Sequence, residues 1–167
     1  DLYSLTLERL DALQLYQTIS TKFPEISFNI YSSERWYVEQ EDEWVKQEAA
    51  ITKMDPESIS MEYFLKEHLP VHKILCMGNP DDIQKLEDEL ARANLSNISY
   101  YRSKDTYMEI VNNQVSKLGA LHFLCEKYGV ALANTLAIGD NFNDMPMIMH
   151  AGKGIAMGNA PDEVKQA

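Results

Sequence analysis

The chain has 167 residues, of which 45% are hydrophobic, and a formal net charge of −11 at pH 7. This length is typical of one domain or two small ones, and this hydrophobic content is sufficient to bury a core. The acidic charge argues against nucleic-acid binding, which requires a basic surface, and no apolar run approaches the roughly 18 residues of a membrane span.

Up to about residue 107 the sequence predicts an α+β region with antiparallel strands. Hydrophobic spacing predicts these elements in chain order: a helix near 4–21, strands near 26–30 and 36–38, helices near 41–52 and 60–67, a strand at 71–77, a helix starting at Pro80, and strands at 98–101 and 107–111. The first helix is expected to end before Pro24, because the residue preceding a proline is pushed out of helical backbone. Asn79 is expected to cap the helix that starts at Pro80.

After Asn113 the pattern changes to helix, strand, helix, strand and helix. This alternation is typical of a parallel sheet covered by helices. We therefore expect two domains, an α+β domain at 1–107 and part of an α/β core at 108–167. The hinge between them is expected near 104–113.

An apolar strand that ends at Gly139 delivers two carboxylates, Asp140 and Asp144, with Asn143 between them. The C-terminal tip of a buried strand is where α/β sheets place their chemistry, and hard oxygen donors there suit Mg²⁺. The alternative is an Asx-rich turn in which a side chain caps the following helix. This stretch alone leaves both interpretations open.

Three motifs in a fixed order carry a family resemblance. They are Lys117 at the start of an amphipathic helix, Gly-Asp-Asn-Phe-Asn-Asp at 139–144, and Gly-Ile-Ala-Met-Gly-Asn-Ala at 154–160. In this order they resemble the haloacid dehalogenase superfamily, specifically its Cof-type sugar-phosphatase branch. The resemblance implies an α/β protein in which an incomplete Rossmann-like core at 108–167 is joined to an α+β cap domain with antiparallel strands at 1–107.

The resemblance also implies a function, a cofactor and site residues. It implies a Mg²⁺-dependent phosphomonoester hydrolase that acts on a small, sugar-phosphate-like metabolite through an aspartyl-phosphate. Lys117 matches the catalytic lysine that contacts the substrate phosphate, and Asp140 matches the metal ligand. Asn143 and Asp144 match the rest of the acidic motif, with Asn143 assigned to substrate binding and Asp144 to the metal.

The sequence departs from the family pattern in two respects. The family's nucleophile motif is Asp-x-Asp, and no Asp-x-Asp occurs in these 167 residues. The family's second motif, a strand that ends in Ser or Thr, is not recognisable. We therefore expect the chain to be a fragment of an enzyme, inactive by itself, whose nucleophile lies outside it. The alternative is a non-catalytic binding or regulatory protein that kept the fold and lost the nucleophile. A third interpretation is an ion-pump fragment, because such pumps carry a similar acidic motif after a lysine. The absence of an apolar run long enough for a membrane span and the cap-like first hundred residues argue against it.

The two cysteines bear on the compartment. Cys76 and Cys125 lie in apolar contexts and lack the spacing of a metal site. They predict buried free thiols, which are consistent with a reducing cytoplasm. The sequence therefore predicts a cytoplasmic protein.

Overall fold

The computed structural model describes residues 3–67, 69–93 and 95–167, and the chain divides into two compact units. The first unit ends at Asn113, and its elements in chain order are α1 (Arg9–Lys22), β1 (Ser27–Ser32), β2 (Arg35–Val38), α2 (Glu43–Thr52), β3 (Glu57–Ser58), α3 (Met61–Lys66), β4 (Lys73–Met77), α4 (Pro80–Ala93), β5 (Ile98–Lys104) and β6 (Tyr107–Asn112). The second unit is Gln114–Ala167, and its elements are α5 (Lys117–Tyr128), a 3-10 turn (Leu132–Asn134), β7 (Leu136–Gly139), α6 (Met145–His150), β8 (Lys153–Ala156) and α7 (Asp162–Gln166).

The first unit is built on a six-stranded sheet in the order β3-β2-β1-β4-β6-β5. Its strand pairs are antiparallel except for β2 and β3, which are parallel. The register places Ile30 opposite Ile74 and Ile74 opposite Ile110, and all three side chains are fully buried. This row belongs to the larger hydrophobic core of the unit. Its three side chains share one face of the sheet, because side chains at paired positions point to the same face.

The predicted helices and strands of this region are found, with shifted ends. α1 begins at Arg9, later than predicted. The reason is that the Leu7 N–H donates to the Val71 carbonyl at 2.8 Å and the Leu7 side chain is 4% exposed, so tertiary contacts hold this residue outside the helix. Asn79 caps α4 as predicted, since its side-chain oxygen accepts from the Asp82 N–H at 3.0 Å.

The boundary between the units lies after Asn113, whereas the sequence placed it after Tyr107. The difference arises because β6 belongs to the sheet of the first unit. It pairs with β4 on one side and with β5 on the other, so its residues cannot be separated from that sheet.

The second unit contains the parallel strand pair that the sequence predicts. β7 and β8 run parallel, with Gly139 opposite Ala156. A side chain at Gly154 would place its Cβ 2.2 Å from the Ile148 carbonyl oxygen, so glycine allows α6 to pack directly against β8. On β7, Leu136 and Ile138 are 56% and 54% exposed, so the described part of the second unit covers one face of this strand only in part.

Candidate functional site

The candidate site lies where β7 ends. Asp140 directly follows the last residue of the strand and is exposed, whereas Asp144 is 3% exposed. A side chain at Gly139 would place its Cβ 2.2 Å from the Cβ of Asp144. Glycine is therefore needed at the strand end, because the turn folds Asp144 back over it.

The Asp144 carboxylate is the hydrogen-bonding centre of this turn. Its Oδ2 accepts from the backbone N–H groups of Asp140 and Asn141, at 2.9 and 3.1 Å, and its Oδ1 forms an ion pair with the Lys117 ammonium. Burial raises the pKa of this carboxyl group, but the hydrogen bond from Lys117, the two backbone N–H groups and the lysine charge outweigh burial. The pKa of Asp144 therefore lies below its ordinary value.

Lys117 reaches this turn from the first position of α5. Ser116 caps the helix, since its hydroxyl oxygen accepts from the Gly119 N–H at 2.9 Å. A lysine is mildly unfavourable at the positive end of a helix dipole, and the pairing with Asp144 offsets this cost. The lysine side chain remains 50% exposed, so its ammonium is also open to an anion from solvent.

The Asp140 carboxylate has one engaged and one open oxygen. Oδ2 accepts from the side-chain amide of Asn159 at 3.2 Å, and within the described parts of the chain Oδ1 has no hydrogen-bond partner. Asn159 belongs to the 154–160 motif, but the sequence analysis assigned this residue no role. Its closeness to Asp140 could have been predicted from topology, since the C-terminal ends of neighbouring parallel strands meet at one sheet edge.

The structure thus brings together Lys117, Asp140 and Asp144 of the predicted site residues. Asn143 lies in the same turn, is exposed, and precedes Asp144, so its predicted contact with substrate stays a prediction. Metal ligation by Asp144 also stays a prediction, and both of its oxygens are already hydrogen-bonded here.

The donor set suits a hard cation. Mg²⁺ usually takes one or two carboxylates and keeps several waters, and Asp140 presents one exposed carboxylate with an open oxygen. Among residues 3–67, 69–93 and 95–167, no three His, Cys, Asp or Glu side chains form a metal-binding group. Asp140 is therefore a fitting single ligand, and further ligands would have to be water or groups beyond this set.

A cavity of about 540 Å³ lies in the first unit and contains none of the predicted site residues. It opens between α1 and the start of α2, where Tyr16, Glu39 and Trp44 contribute to its lining.

Among the residues that the structure describes, no helix is long and apolar enough to cross a membrane.

Comparisons with known proteins show the family of the chain. The family model described as haloacid dehalogenase-like hydrolase matches residues 1–167. A Haemophilus influenzae protein, provisionally assigned as a phosphatase, is 32% identical over 99% of this chain and 62% of its own length. The 5-amino-6-(5-phospho-D-ribitylamino)uracil phosphatase YcsE of Bacillus subtilis is 37% identical over 60% of this chain and 41% of its own length.

One solved structure supports the same grouping. The crystal structure of a haloacid dehalogenase-like hydrolase from Bacteroides thetaiotaomicron matches with a TM-score of 0.86 and 32% identity. The match covers 98% of this chain and 61% of the Bacteroides chain. The chain therefore spans about three fifths of the length of the Haemophilus protein and of the Bacteroides protein.

Proposed function

The chain belongs to the haloacid dehalogenase-like hydrolases, and we propose that the protein is a Mg²⁺-dependent phosphomonoester hydrolase acting on small phosphorylated metabolites. The observation that carries the proposal is the arrangement at the end of β7. The half-exposed ammonium of Lys117 is paired with the buried carboxylate of Asp144. The second oxygen of Asp144 accepts a hydrogen bond from the backbone N–H of Asp140. An exposed carboxylate beside a fixed cation suits a site that binds a phosphate together with a divalent metal.

Each residue has a proposed part in this chemistry. Asp140 would be the metal ligand that this chain supplies, because its carboxylate is exposed and has an open oxygen. Asp144 would act by holding Lys117 and the turn, since its own oxygens are occupied. Lys117 would bind the phosphoryl oxygens and stabilise the charge that develops on them. A Mg²⁺ ion held by Asp140 would supply Lewis-acid stabilisation of the charge on the phosphoryl group.

We place the nucleophile outside residues 1–167. These residues contain no Asp-x-Asp, and the Haemophilus and Bacteroides proteins are longer than this chain. In this proposal the first aspartate of that motif attacks phosphorus and the P–O ester bond breaks, while the leaving oxygen takes a proton from the second aspartate. Water then hydrolyses the aspartyl-phosphate, gives a proton to the second aspartate and releases phosphate. The first unit would be the cap domain that encloses the leaving group, and the second unit would belong to the catalytic core.

The proposed substrate is a sugar-phosphate-like metabolite in the cytoplasm. One relative, YcsE, is named for a phosphorylated ribitylamino compound, which is of this general kind. The net charge of −11 would repel such an anion at long range, so attraction has to come from local groups such as Lys117. Cys76 and Cys125 are both free, which is consistent with a reducing compartment.

Replacement of the proposed metal ligand tests this function. In the full-length protein, Asp140→Ala should lower Mg²⁺-dependent phosphate release from p-nitrophenyl phosphate by roughly 100-fold or more, because losing a metal ligand removes transition-state stabilisation. The matched control is Asp162→Ala, which removes an aspartate whose side chain is 90% exposed on α7. The control should keep wild-type activity, and near-normal turnover by Asp140→Ala at limiting Mg²⁺ would refute the assignment. A wild-type protein without Mg²⁺-dependent turnover would instead favour the non-catalytic alternative.

A further inference from the structure

We infer that Asn159 is a positioning residue that orients the Asp140 carboxylate for Mg²⁺, an inference that rests on the proposed function. The two residues are 19 positions apart in sequence, and the Asn159 side-chain amide donates to Asp140 Oδ2 at 3.2 Å. No other side chain among the described residues hydrogen-bonds this carboxylate. Asn159 is thus the residue that determines the orientation of the carboxylate in this structure.

The turn that carries Asn159 is fixed at both ends. The Met157 N–H donates to the Gly139 carbonyl at 2.9 Å, which ties the start of the turn to the end of β7. The Ala160 N–H donates to the Met157 carbonyl at 3.0 Å, and Ala160 is buried in the small core that also contains Ile148. The hydrogen bond to Asp140 therefore comes from a turn held independently by backbone bonds and packing.

The chemistry of an amide suits this task. A carboxamide N–H is a neutral donor, so it fixes one oxygen of Asp140 and leaves the negative charge and Oδ1 available to a cation. A lysine in the same place would neutralise the carboxylate and compete with the metal. A residue without a donor would leave the carboxylate free to rotate, and outer-sphere partners that orient a ligand typically contribute substantially to metal affinity.

The test measures metal binding apart from turnover. Mn²⁺ serves as a paramagnetic probe, and its dissociation constant is determined by electron paramagnetic resonance on the full-length protein without substrate. The variants are Asn159→Ala, Asn159→Gln and the control Asn134→Ala, which replaces an asparagine at the opposite end of β7. The Mg²⁺ dependence of phosphate release and the Tm are measured on the same samples.

We expect Asn159→Ala to raise the Mn²⁺ dissociation constant about 10- to 100-fold. The Mg²⁺ concentration for half-maximal activity should rise in parallel, whereas turnover at saturating Mg²⁺ should stay within about threefold of wild type. Asn159→Gln keeps the amide and should recover part of the affinity, and Asn134→Ala should match wild type.

Three results would overturn the inference, and the third is distinguishable from the others because it also refutes the proposed function. If wild type binds Mn²⁺ and hydrolyses the ester, but Asn159→Ala binds Mn²⁺ equally well, the inference fails and the proposed function stands. The same holds if Asn159→Ala lowers only the Tm, because its role is then confined to the turn. If wild type neither binds Mn²⁺ nor hydrolyses the ester, the proposed function and the inference fail together.

Discussion

Lys117 is held in place by a carboxylate that is itself held by the backbone. Its ammonium pairs with Asp144, and the other oxygen of Asp144 accepts from the N–H groups of Asp140 and Asn141. The position of the lysine relative to the end of β7 is therefore set before any substrate binds. Such preorganisation lets a charged group stabilise a transition state without first reorienting.

Substitution of this lysine gives a prediction at the residue scale. In the full-length protein, Lys117→Ala should lower turnover by roughly two to three orders of magnitude, the usual effect of losing one electrostatic contact to the transition state. Lys117→Arg should recover only part of the loss, because a planar guanidinium does not replace a compact ammonium. Phosphate release measures both effects, and Lys127→Ala, in the last turn of the same helix, is the control. Unchanged turnover by Lys117→Ala would show that this lysine only stabilises the fold.

The end of the predicted strand indicated Asp140 and Asp144 as candidates, and the family resemblance added Lys117. In the structure Lys117 pairs with Asp144, which in turn accepts from the backbone N–H of Asp140. Position in the sequence alone could not distinguish the two aspartates, because both lie in the same short turn. Their difference is burial, which depends on how the turn folds over Gly139. Asn159 was missed because its contact with Asp140 exists only after two parallel strands have paired.

At the scale of elements, the turn between β7 and α6 depends on one carboxylate. The Asp144 carboxylate accepts hydrogen bonds from two backbone N–H groups of this turn, and Asp144 directly precedes α6. Its pKa is lowered in the folded protein, because the bonds from Lys117 and the backbone outweigh the effect of burial. A carboxyl group with a lowered pKa stabilises the fold above its unfolded pKa, and that contribution is lost as the pH falls through the folded value.

This relation predicts how stability depends on pH. At pH 7, Asp144→Asn should lower the free energy of unfolding by roughly 1.5–3 kcal/mol, the range for hydrogen bonds to a charged group. The difference from wild type should shrink as the pH falls below about 4, where the carboxyl group of the unfolded chain is protonated. Thermal unfolding followed by circular dichroism at about pH 7 and about pH 3 measures it. Asp162→Asn should match wild type at both values, and a difference for Asp144→Asn that did not change with pH would contradict the account.

The sequence predicted the long helices and strands that have periodic hydrophobic residues, but not the short elements or the exact ends of the elements. α4 has its predicted cap and its apolar face, with Ile83, Leu86 and Leu90 buried. β3, at Glu57–Ser58, has only two residues and is exposed, so it carries no hydrophobic alternation. It forms because β2 provides a hydrogen-bonding partner, and the local pattern of residues does not predict such pairing.

At the scale of the whole molecule, the two units differ in how completely they bury their strands. In the first unit the central residues Ile30, Ile74 and Ile110 are fully buried. In the second, Leu136 and Ile138 are more than half exposed on β7, the strand that delivers Asp140. An apolar strand face of this kind is suited to packing against further parts of an α/β core, which is where we place the nucleophile.

The order of motifs made the two-unit organisation predictable, because an α+β pattern and a helix–strand alternation follow each other in the sequence. The position of the boundary was not predictable to the residue. The residues of β6 were predicted as one of a closing pair of strands, yet the expected boundary at 107 cut this strand off from its partner. Its pairing with β4 and β5 keeps the whole strand in the first unit.

The central claim is that Lys117 and Asp140 serve a nucleophile outside residues 1–167. The most direct test compares phosphate release, with Mg²⁺ and a panel of phosphate monoesters, by the full-length protein and by residues 1–167 alone. The full-length protein should turn over and the isolated chain should not, since removal of a nucleophile leaves only the weak catalysis of binding and electrostatics. Robust turnover by residues 1–167 would contradict the account, because the nucleophile would then lie within this sequence.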